Sequence, residues 1–588
     1  MTITIADYLL TRLAELGVHH MFGVPGDFNL WFLERLITNS EITFVGCCNE
    51  LNAAYAADGC ARLVGVSALA TTYGVGELAS LAGVAGAYAE RVPIVCITGA
   101  PPINAMRERA LLHHTLADGN FDNMLSCYRE FTIAQARIEP ATARDEIDRI
   151  LRLCWLEKRP AYLQVPSDVA GVKIGPILKP LDLNPLCSDP SQLARAVSQI
   201  TDRLSRANRP AILLDADVDR FGLTGSVIAL AEANDIPIAH LIPAKGVIGD
   251  THPLSIGIYR GAASSPAVRA AVEDSDCLLC FGARFTDVAS GLFTHEINPQ
   301  SVIDLQPFSV KLQGEFLSAV ATKELLSGLL ATTHRTSVPA LYQFPHVTTP
   351  QESDTNGVLT QTVFWRHIQN YLKQEDVILS DTGTPFFGSA NLNLPDNVSF
   401  VAQPIWASLG YGLPATLGAC LATPDRRHLV FVGDGAFQMS VQELSTILRL
   451  NLKPIIFLLN NGGYTIERLI LGSESGYNDI SRWGYGRILA AFDTRDQAVV
   501  HVVRTEAELE AALHAASDIS KLHLLELVLP RMDAPQALVR FAQSVAAFDF
   551  PQMRDGNESE TNTGCHDESS LMYADRSPEA SGIEYRTI

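Results

Sequence analysis

Two short loops carry oxygen donors at a spacing that suits a hydrated divalent cation. The first reads Gly433-Asp434-Gly435-Ala436 and follows the apolar run Leu429 to Val432. The second reads Asn460-Asn461-Gly462-Gly463-Tyr464-Thr465-Ile466-Glu467 and follows the apolar run Ile455 to Leu459. If the two runs are neighbouring strands of a parallel sheet, both loops lie at the edge where ligands of open α/β sheets bind. The segment from Ser440 onward is long enough for the crossover helix between them. The Asp434 carboxylate, the Asn461 side-chain oxygen and a backbone carbonyl near Gly463 then converge. Three hard oxygen ligands with open positions suit Mg²⁺ holding a diphosphate, because magnesium keeps waters and phosphate oxygens in its octahedron. Glycines around Asp434 let backbone N–H groups approach phosphate.

The elements that must position these loops follow a repeated pattern. Short Val- and Ile-rich runs alternate with segments of helical period, as in a parallel sheet buried on both faces. The pattern occurs in three blocks: strands at His20–Gly23, Ile42–Val45, Ser67–Thr72 and Pro93–Thr98; at Ala211–Asp215, Pro237–His240, Cys277–Phe281 and Val302–Leu305; and at Val377–Asp381, His428–Val432, Pro454–Leu459 and His523–Val528. Polar, Pro- and Ser-rich stretches at Lys179–Ser191 and Thr348–Gly357 read as linkers. The expected fold class is therefore α/β, with three doubly wound parallel-sheet domains at 1–180, 191–345 and 358–550. From 551 to 588 the chain is acidic and polar without apolar period, and is expected to be a disordered tail.

Composition narrows the function. The 588 residues are 47% hydrophobic and 19% charged, with a net charge of −21, which argues against a nucleic-acid partner. Apolar runs are strand-sized, too short for a membrane span. The first residues carry no readable secretory signal, so a cytoplasmic address is expected. Eleven cysteines, mostly in apolar runs, suggest reduced buried thiols. Cys277 and Cys280 lie in one expected strand, where their side chains would point to opposite faces, a poor metal pair. Gly74-Val75-Gly76-Glu77-Leu78-Ala79 matches a dinucleotide-binding fingerprint, yet the acidic residue due at the end of the next strand is replaced by Ile97-Thr98-Gly99-Ala100. A tight strand-to-helix turn is the preferred reading.

The Gly-Asp-Gly and Asn-Asn loops resemble the thiamine diphosphate motif, and Asn-Asn-Gly-Gly-Tyr-Thr-Ile-Glu is similar to the 2-keto acid decarboxylase branch. Val24-Pro25-Gly26-Asp27-Phe28-Asn29-Leu30, Asn49-Glu50-Leu51-Asn52-Ala53, Leu112-His113-His114-Thr115, Phe285-Thr286-Asp287 and Pro404-Ile405-Trp406-Ala407-Ser408-Leu409-Gly410-Tyr411 resemble the same branch, the pyruvate, indolepyruvate and branched-chain keto acid decarboxylases. The adjacent histidines separate it from carboligating relatives.

The resemblance implies thiamine diphosphate and Mg²⁺ as cofactors and non-oxidative decarboxylation of a 2-oxo acid to an aldehyde. It implies Asp434, Asn461 and Gly463 as metal ligands. It implies cofactor contacts from Glu50, Thr72, Thr384, Ala407, Leu409, Gly433, Asp434, Gly435, Ala436, Asn461, Gly463, Tyr464, Thr465 and Ile466. Glu50 would hydrogen-bond the pyrimidine ring nitrogen and help remove the thiazolium proton; read from the residues alone, it is also a well-placed carboxylate at a helix start. Leu409 would bend the cofactor into a V. Asp27, His113, His114 and Glu467 would move protons on the substrate-derived adduct, work for which histidine is suited near neutrality. In the family Glu50 and the diphosphate site come from different subunits, so a homodimer is the expected minimal active unit and a homotetramer the expected assembly.

The sequence departs from the family in three places. Ala407 and Ala436 stand where Gly and Ser are usual, tolerable if their φ stays negative, and Gly462 stands where Asp or Glu follows the Asn pair. Phe386, Trp406 and Ile466 are the expected substrate pocket. Thr384-Pro385-Phe386-Phe387 resembles the branched-chain enzymes, which favours medium branched-chain aliphatic or aromatic 2-oxo acids over pyruvate, each buried CH₂ being worth about 0.8 kcal/mol. A pyruvate decarboxylase or a carboligase of the same superfamily, and more distantly a nucleotide-binding regulatory protein built on the Gly74 turn, are the alternatives.

Overall fold

The computed structural model describes residues 2–38, 41–332 and 357–551. The expected tail except Pro551, and all of the second expected linker except Gly357, lie outside the described residues.

Three sheets organise the chain. In the first, β1 (His20–Gly23), β2 (Thr43–Gly46), β3 (Ser67–Thr72), β4 (Ile94–Ala100), β5 (Gln135–Arg137) and β6 (Ala161–Pro166) lie in the order β2-β1-β3-β4-β6-β5, all parallel. The second holds β7 (Pro210–Leu214), β8 (Ile238–His240), β9 (Ser255–Ile258), β10 (Cys277–Phe281), β11 (Val302–Gln306), β12 (Ser309–Leu312) and β13 (Glu315–Leu317), in the order β9-β8-β7-β10-β11-β12-β13. Its last two strands run antiparallel, an edge extension that the sequence reading did not anticipate. The third holds β14 (Val377–Ser380), β15 (Ser399–Val401), β16 (His428–Gly433), β17 (Ile455–Asn460), β18 (Ala498–Val503) and β19 (Leu522–Val528), in the order β15-β14-β16-β17-β19-β18, again all parallel. The first and third sheets thus share one topology, and in each the strand order reverses between the first and third strands, which opens a crevice there.

The central strands read as near-continuous apolar runs because helices cover both faces; every residue of β3 and β4 is buried. Cys277 and Cys280 pack into different cores on the two faces of β10. The first and third domains share one hydrophobic core. It is built where α1 (Glu50–Val64), started by Asn49 whose side chain accepts the Asn52 N–H at 2.8 Å, packs on α3 (Gly412–Ala422). Ala53, Ala56, Ala57, Ala415 and Ala419 are all buried there, and their small side chains let the two helices approach closely. Between them in the chain, α2 (Val75–Ala89) follows β3.

Candidate active site

In the third domain the two polar loops meet. Asp434 opens the short helix α4 (Asp434–Ser440) directly after β16. Its carboxylate accepts the Gly435 N–H at 2.8 Å on one oxygen, and the Gly462 and Gly463 N–H groups at 2.7 and 3.2 Å on the other. One side chain therefore ties the end of β16 to the loop after β17. Burial pushes its pKa up to about 6, against the pull of those N–H groups and of the Arg468 guanidinium. Asn461 is buried, and its side-chain oxygen has no hydrogen-bond partner among the described residues. A buried orphan acceptor needs a ligand to offset its desolvation. Both residues wall a cavity of about 450 Å³ that is also lined by Gly462, Ser481, Arg482 and Trp483. A buried carboxylate beside an unpaired amide oxygen on a polar cavity fits a divalent cation carrying phosphate oxygens.

The neighbours of this pair fall in place around it. Tyr464 packs on Gly435, where a Cβ would come within 2.5 Å of its ring. Thr465 begins the helix α5 (Thr465–Ile470), and its hydroxyl donates to the Arg531 carbonyl at 2.9 Å. Glu467 is exposed on that helix. Thr384 and Phe386 are buried in a helix that follows β14. Phe386 and Ile466 share an apolar cluster with Phe387, Leu538 and Phe541. Trp406 is not part of that cluster: it packs on Gly86 of α2, and the Ile405 and Trp406 N–H groups donate to Glu90 at 2.8 and 3.1 Å. Leu409 is half-buried against the shared core. Ala436 sits inside α4, but Ala407 has φ +52°, so the condition of negative φ fails at Ala407. An alanine in the left-handed region is strained by roughly 1–2 kcal/mol, which is the physical reason for glycine at such a place.

In the first domain a second polar group gathers at the strand ends. Asp27 follows β1, Glu50 opens α1 after β2, and Thr72 ends β3 with a buried hydroxyl that has no partner among the described residues. His113 Nε2 lies 2.8 Å from Asp27 Oδ2, its ring stacked on Phe28 at 5.0 Å and edge-on to His114 at 4.7 Å. Ligand atoms of Asp27, His113 and His114 all lie within 4.8 Å of one another. The Glu50 carboxylate lies against Gly76, 3.1 Å from where a Cβ would stand. Gly74 is explained by the same neighbourhood: its φ is +63°, and a Cβ there would come within 1.8 Å of the His114 carbonyl oxygen. The glycine turn thus seats the histidine loop. Glu77 holds that turn through the Gly74 N–H at 2.7 Å, itself buried against the Tyr162 hydroxyl, and burial raises its pKa to about 7.

Sequence reasoning missed several residues here. Asp381, at the end of β14, accepts the N–H groups of Thr382, Gly410 and Gly412 at 2.9, 3.2 and 2.8 Å, and so pins the loop that carries Leu409. An aspartate closing an apolar strand was its only signal. Leu538 and Phe541 belong to α6 (Gln536–Asp549), which the sequence reading did not single out.

Three profiles of thiamine pyrophosphate enzymes match the chain: the N-terminal TPP binding domain at residues 3–124, the central domain at 197–321 and the C-terminal TPP binding domain at 381–527. An alpha-keto-acid decarboxylase of Mycolicibacterium paratuberculosis is 41% identical over 552 residues, 93% of this chain and 98% of that protein. Those of Mycobacterium tuberculosis and Mycobacterium ulcerans are each 40% identical, over 550 and 556 residues, covering 92% of this chain and 97% and 96% of their own lengths.

Proposed function

The chain belongs to the thiamine pyrophosphate-dependent 2-keto acid decarboxylase family, and from that membership we propose that it removes CO₂ non-oxidatively from a medium branched-chain aliphatic or aromatic 2-oxo acid and releases the aldehyde. Thiamine pyrophosphate, the same molecule as thiamine diphosphate, supplies when bound an electron sink for the pair left behind as CO₂ departs. The observation that carries the reading is the Asp434–Asn461 pair, a buried carboxylate and an orphan amide oxygen on one cavity wall. These two side chains, with the Gly463 carbonyl, would hold Mg²⁺ and through it the diphosphate.

The remaining roles follow from position and chemistry. Glu50 would accept or donate a proton at the pyrimidine nitrogen. His113, oriented by Asp27, and His114 beside it would deliver and remove protons at the substrate-derived carbon and hydroxyl, with Glu467 from α5 facing the departing carboxylate. Phe386, Ile466 and Phe541 share one apolar cluster and would offer a branched or aromatic side chain a surface that a methyl group cannot use. Trp406, packed on α2, would act on loop position more than on substrate shape.

Two copies would complete the site. The cavity is walled by residues of the third domain, and Asp27 and His113 stand exposed on the first. Val75, Leu78, Trp406 and Met439 are exposed apolar side chains that a second copy could cover. Among the described residues no helix is long and apolar enough to cross a membrane. A panel of 2-oxo acids with Mg²⁺ and thiamine diphosphate, read through an alcohol dehydrogenase, tests the reaction. Turnover of pyruvate alone would overturn the substrate class, and hydroxyketone in place of aldehyde would favour a carboligase. Mixing inactive Glu50→Gln with inactive Asp434→Ala tests the shared site. Partial recovery is expected, and none would place both halves within one chain.

A further inference from the structure

Arg468 is a buried cation next in sequence to Glu467, and the roles argued so far leave it unused. Its side chain is fully enclosed, and its guanidinium is the hub of three segments. One terminal nitrogen donates to the Asn461 carbonyl at 3.3 Å and the Arg531 carbonyl at 3.5 Å. The other donates to the Gly462 carbonyl at 2.6 Å and the Asn478 carbonyl at 3.2 Å, and pairs with Asp479 at 2.8 Å. The planar fork of arginine holds carbonyls on two separate nitrogens, whereas the three N–H donors of a lysine ammonium radiate from one atom and cannot span the same partners.

The geometry points to Arg468 as the positioning residue that sets affinity for the metal–diphosphate. This rests on the reading of Asp434, Asn461 and Gly463 as the cofactor cradle. By taking the Asn461 and Gly462 carbonyls from behind, Arg468 fixes the loop so that the Asn461 side-chain oxygen faces the cavity unpaired. Gly463 supplies the clearance: it has φ +135°, and a Cβ there would come within 2.6 Å of the Arg468 guanidinium and 2.2 Å of the Asn478 carbonyl. The contact with Asp479 joins this loop to residues 479–483, which also line the cavity. A positive charge enclosed behind the ligands also favours an anionic diphosphate in front of them, since buried charges interact with little screening. The groups facing Arg468 are carbonyls, the half-exposed Asp479, which it shares with Arg531, and the Asp434 carboxylate on the cavity side, so its charge is only partly offset.

Cofactor binding is read directly, by quenching of tryptophan fluorescence with Trp483 on the cavity wall, and kinetics are run at saturating cofactor. Arg468→Lys and Arg468→Gln should weaken Mg²⁺·thiamine diphosphate binding about 10- to 100-fold, as loss of a residue that supports metal ligands commonly does. At saturation kcat and the KM for the 2-oxo acid should stay within about threefold. Because a buried arginine can be needed for folding, Asp479→Asn is the second variant: its side chain is half-exposed, and the same shift in affinity, a few-fold in size, is expected. Unchanged affinity in folded Arg468→Lys and Asp479→Asn, or a loss confined to kcat at saturation, would overturn the proposal. Failure of the wild-type protein to bind the cofactor would instead overturn the reading of the cradle itself.

Discussion

The third sheet and the middle sheet place carboxylates at comparable strand ends and use them in opposite ways. In the third, Asp434 after β16 is satisfied by three backbone N–H groups, and its neighbour Asn461 keeps an unpaired oxygen toward a cavity. In the middle sheet the order reverses between β7 and β10, and Asp215 and Asp217 stand there. Asp215 accepts the Ala216 and Arg284 N–H groups at 2.7 and 3.0 Å. Asp217 pairs with Arg91 of the first domain at 2.6 Å, and Arg284 reaches the Ala89 carbonyl at 2.9 Å. A crevice of the kind that binds ligands in doubly wound folds is here filled by a neighbouring domain. The difference lies in what the spare atom faces: Asn461 Oδ1 lies on a cavity wall and makes a site, whereas Asp217 Oδ1, also without a hydrogen bond, lies 3.9 Å from the Arg284 guanidinium in a crevice that Arg91 closes from outside, and makes a latch.

The largest effect should come from the cavity side of that contrast. Asp434→Ala removes an octahedral ligand and the tie between two loops, so decarboxylation should fall by more than the roughly 100-fold typical of losing a supporting partner. Chelation of Mg²⁺ followed by dialysis should do the same. Full activity in either case would mean that the third crevice is no more a site than the middle one.

Next in size is a split within the first domain, which carries its polar group at the matching strand ends. Glu50→Gln should slow hydrogen–deuterium exchange at the thiazolium carbon before substrate is present. His114→Gln should leave that exchange intact and reduce aldehyde formation by about 10² to 10⁴. Slow exchange in the histidine variant would show that His114, whose carbonyl rests on Gly74, shapes the cofactor site as a whole.

The latch should respond in the reverse sense. Arg91→Ala leaves Asp217 buried without its closest cation and should cost about 3 kcal/mol of stability, seen as a lower first thermal transition. Cofactor affinity and kcat should hold at temperatures where the protein is folded. A large loss of cofactor affinity would join the middle crevice functionally to the site.

What the sequence made legible follows the range of the forces involved. The strand-helix alternation and the two loops of the third sheet were readable because apolar period and Gly/Asn turn chemistry are local. The short strands Gln135–Arg137 and Ser399–Val401 were not, being defined by a partner strand more than by their own residues. Asp381 and Arg468 escaped for a related reason: each acts by holding backbone groups of other segments, Gly410 and Gly412 for Asp381 and Asn478 and Arg531 for Arg468. The Gly74 motif misleads when read alone, since its glycine accommodates a histidine carbonyl from a loop that only the fold brings near.

The pH dependence of the Asp434 cradle is a smaller test of the same contrast. With its pKa raised to about 6 by burial, the folded protein binds more protons than the unfolded chain between the ordinary aspartate value and that pH. Stability therefore falls as pH rises through this window, and metal must displace the proton. Affinity for Mg²⁺·thiamine diphosphate should be level above about pH 7 and fall by up to tenfold per unit below about pH 6. Affinity that stays flat from pH 5 to 7 would mean that Asp434 is not a ligand.

The smallest effect should come from Ala407→Gly. Ala407 lies between Trp406, held to the first domain through Glu90, and Leu409, whose loop Asp381 pins in the third. The loop is thus fixed at both ends, and Ala407 takes φ +52° between them. Glycine removes the clash of Cβ with the following carbonyl but adds freedom to the unfolded chain, so the two effects partly cancel and leave about 0.5–1 kcal/mol in favour of glycine. If the cofactor-free loop relaxes away from the strained conformation, the gain appears as cofactor affinity, about two- to fivefold. Titration of Mg²⁺·thiamine diphosphate into Ala407→Gly and the wild-type protein measures it. Weaker binding in the variant would mean that the methyl group makes a contact whose loss outweighs the strain, and that the alanine in this chain is an adaptation of its cofactor loop.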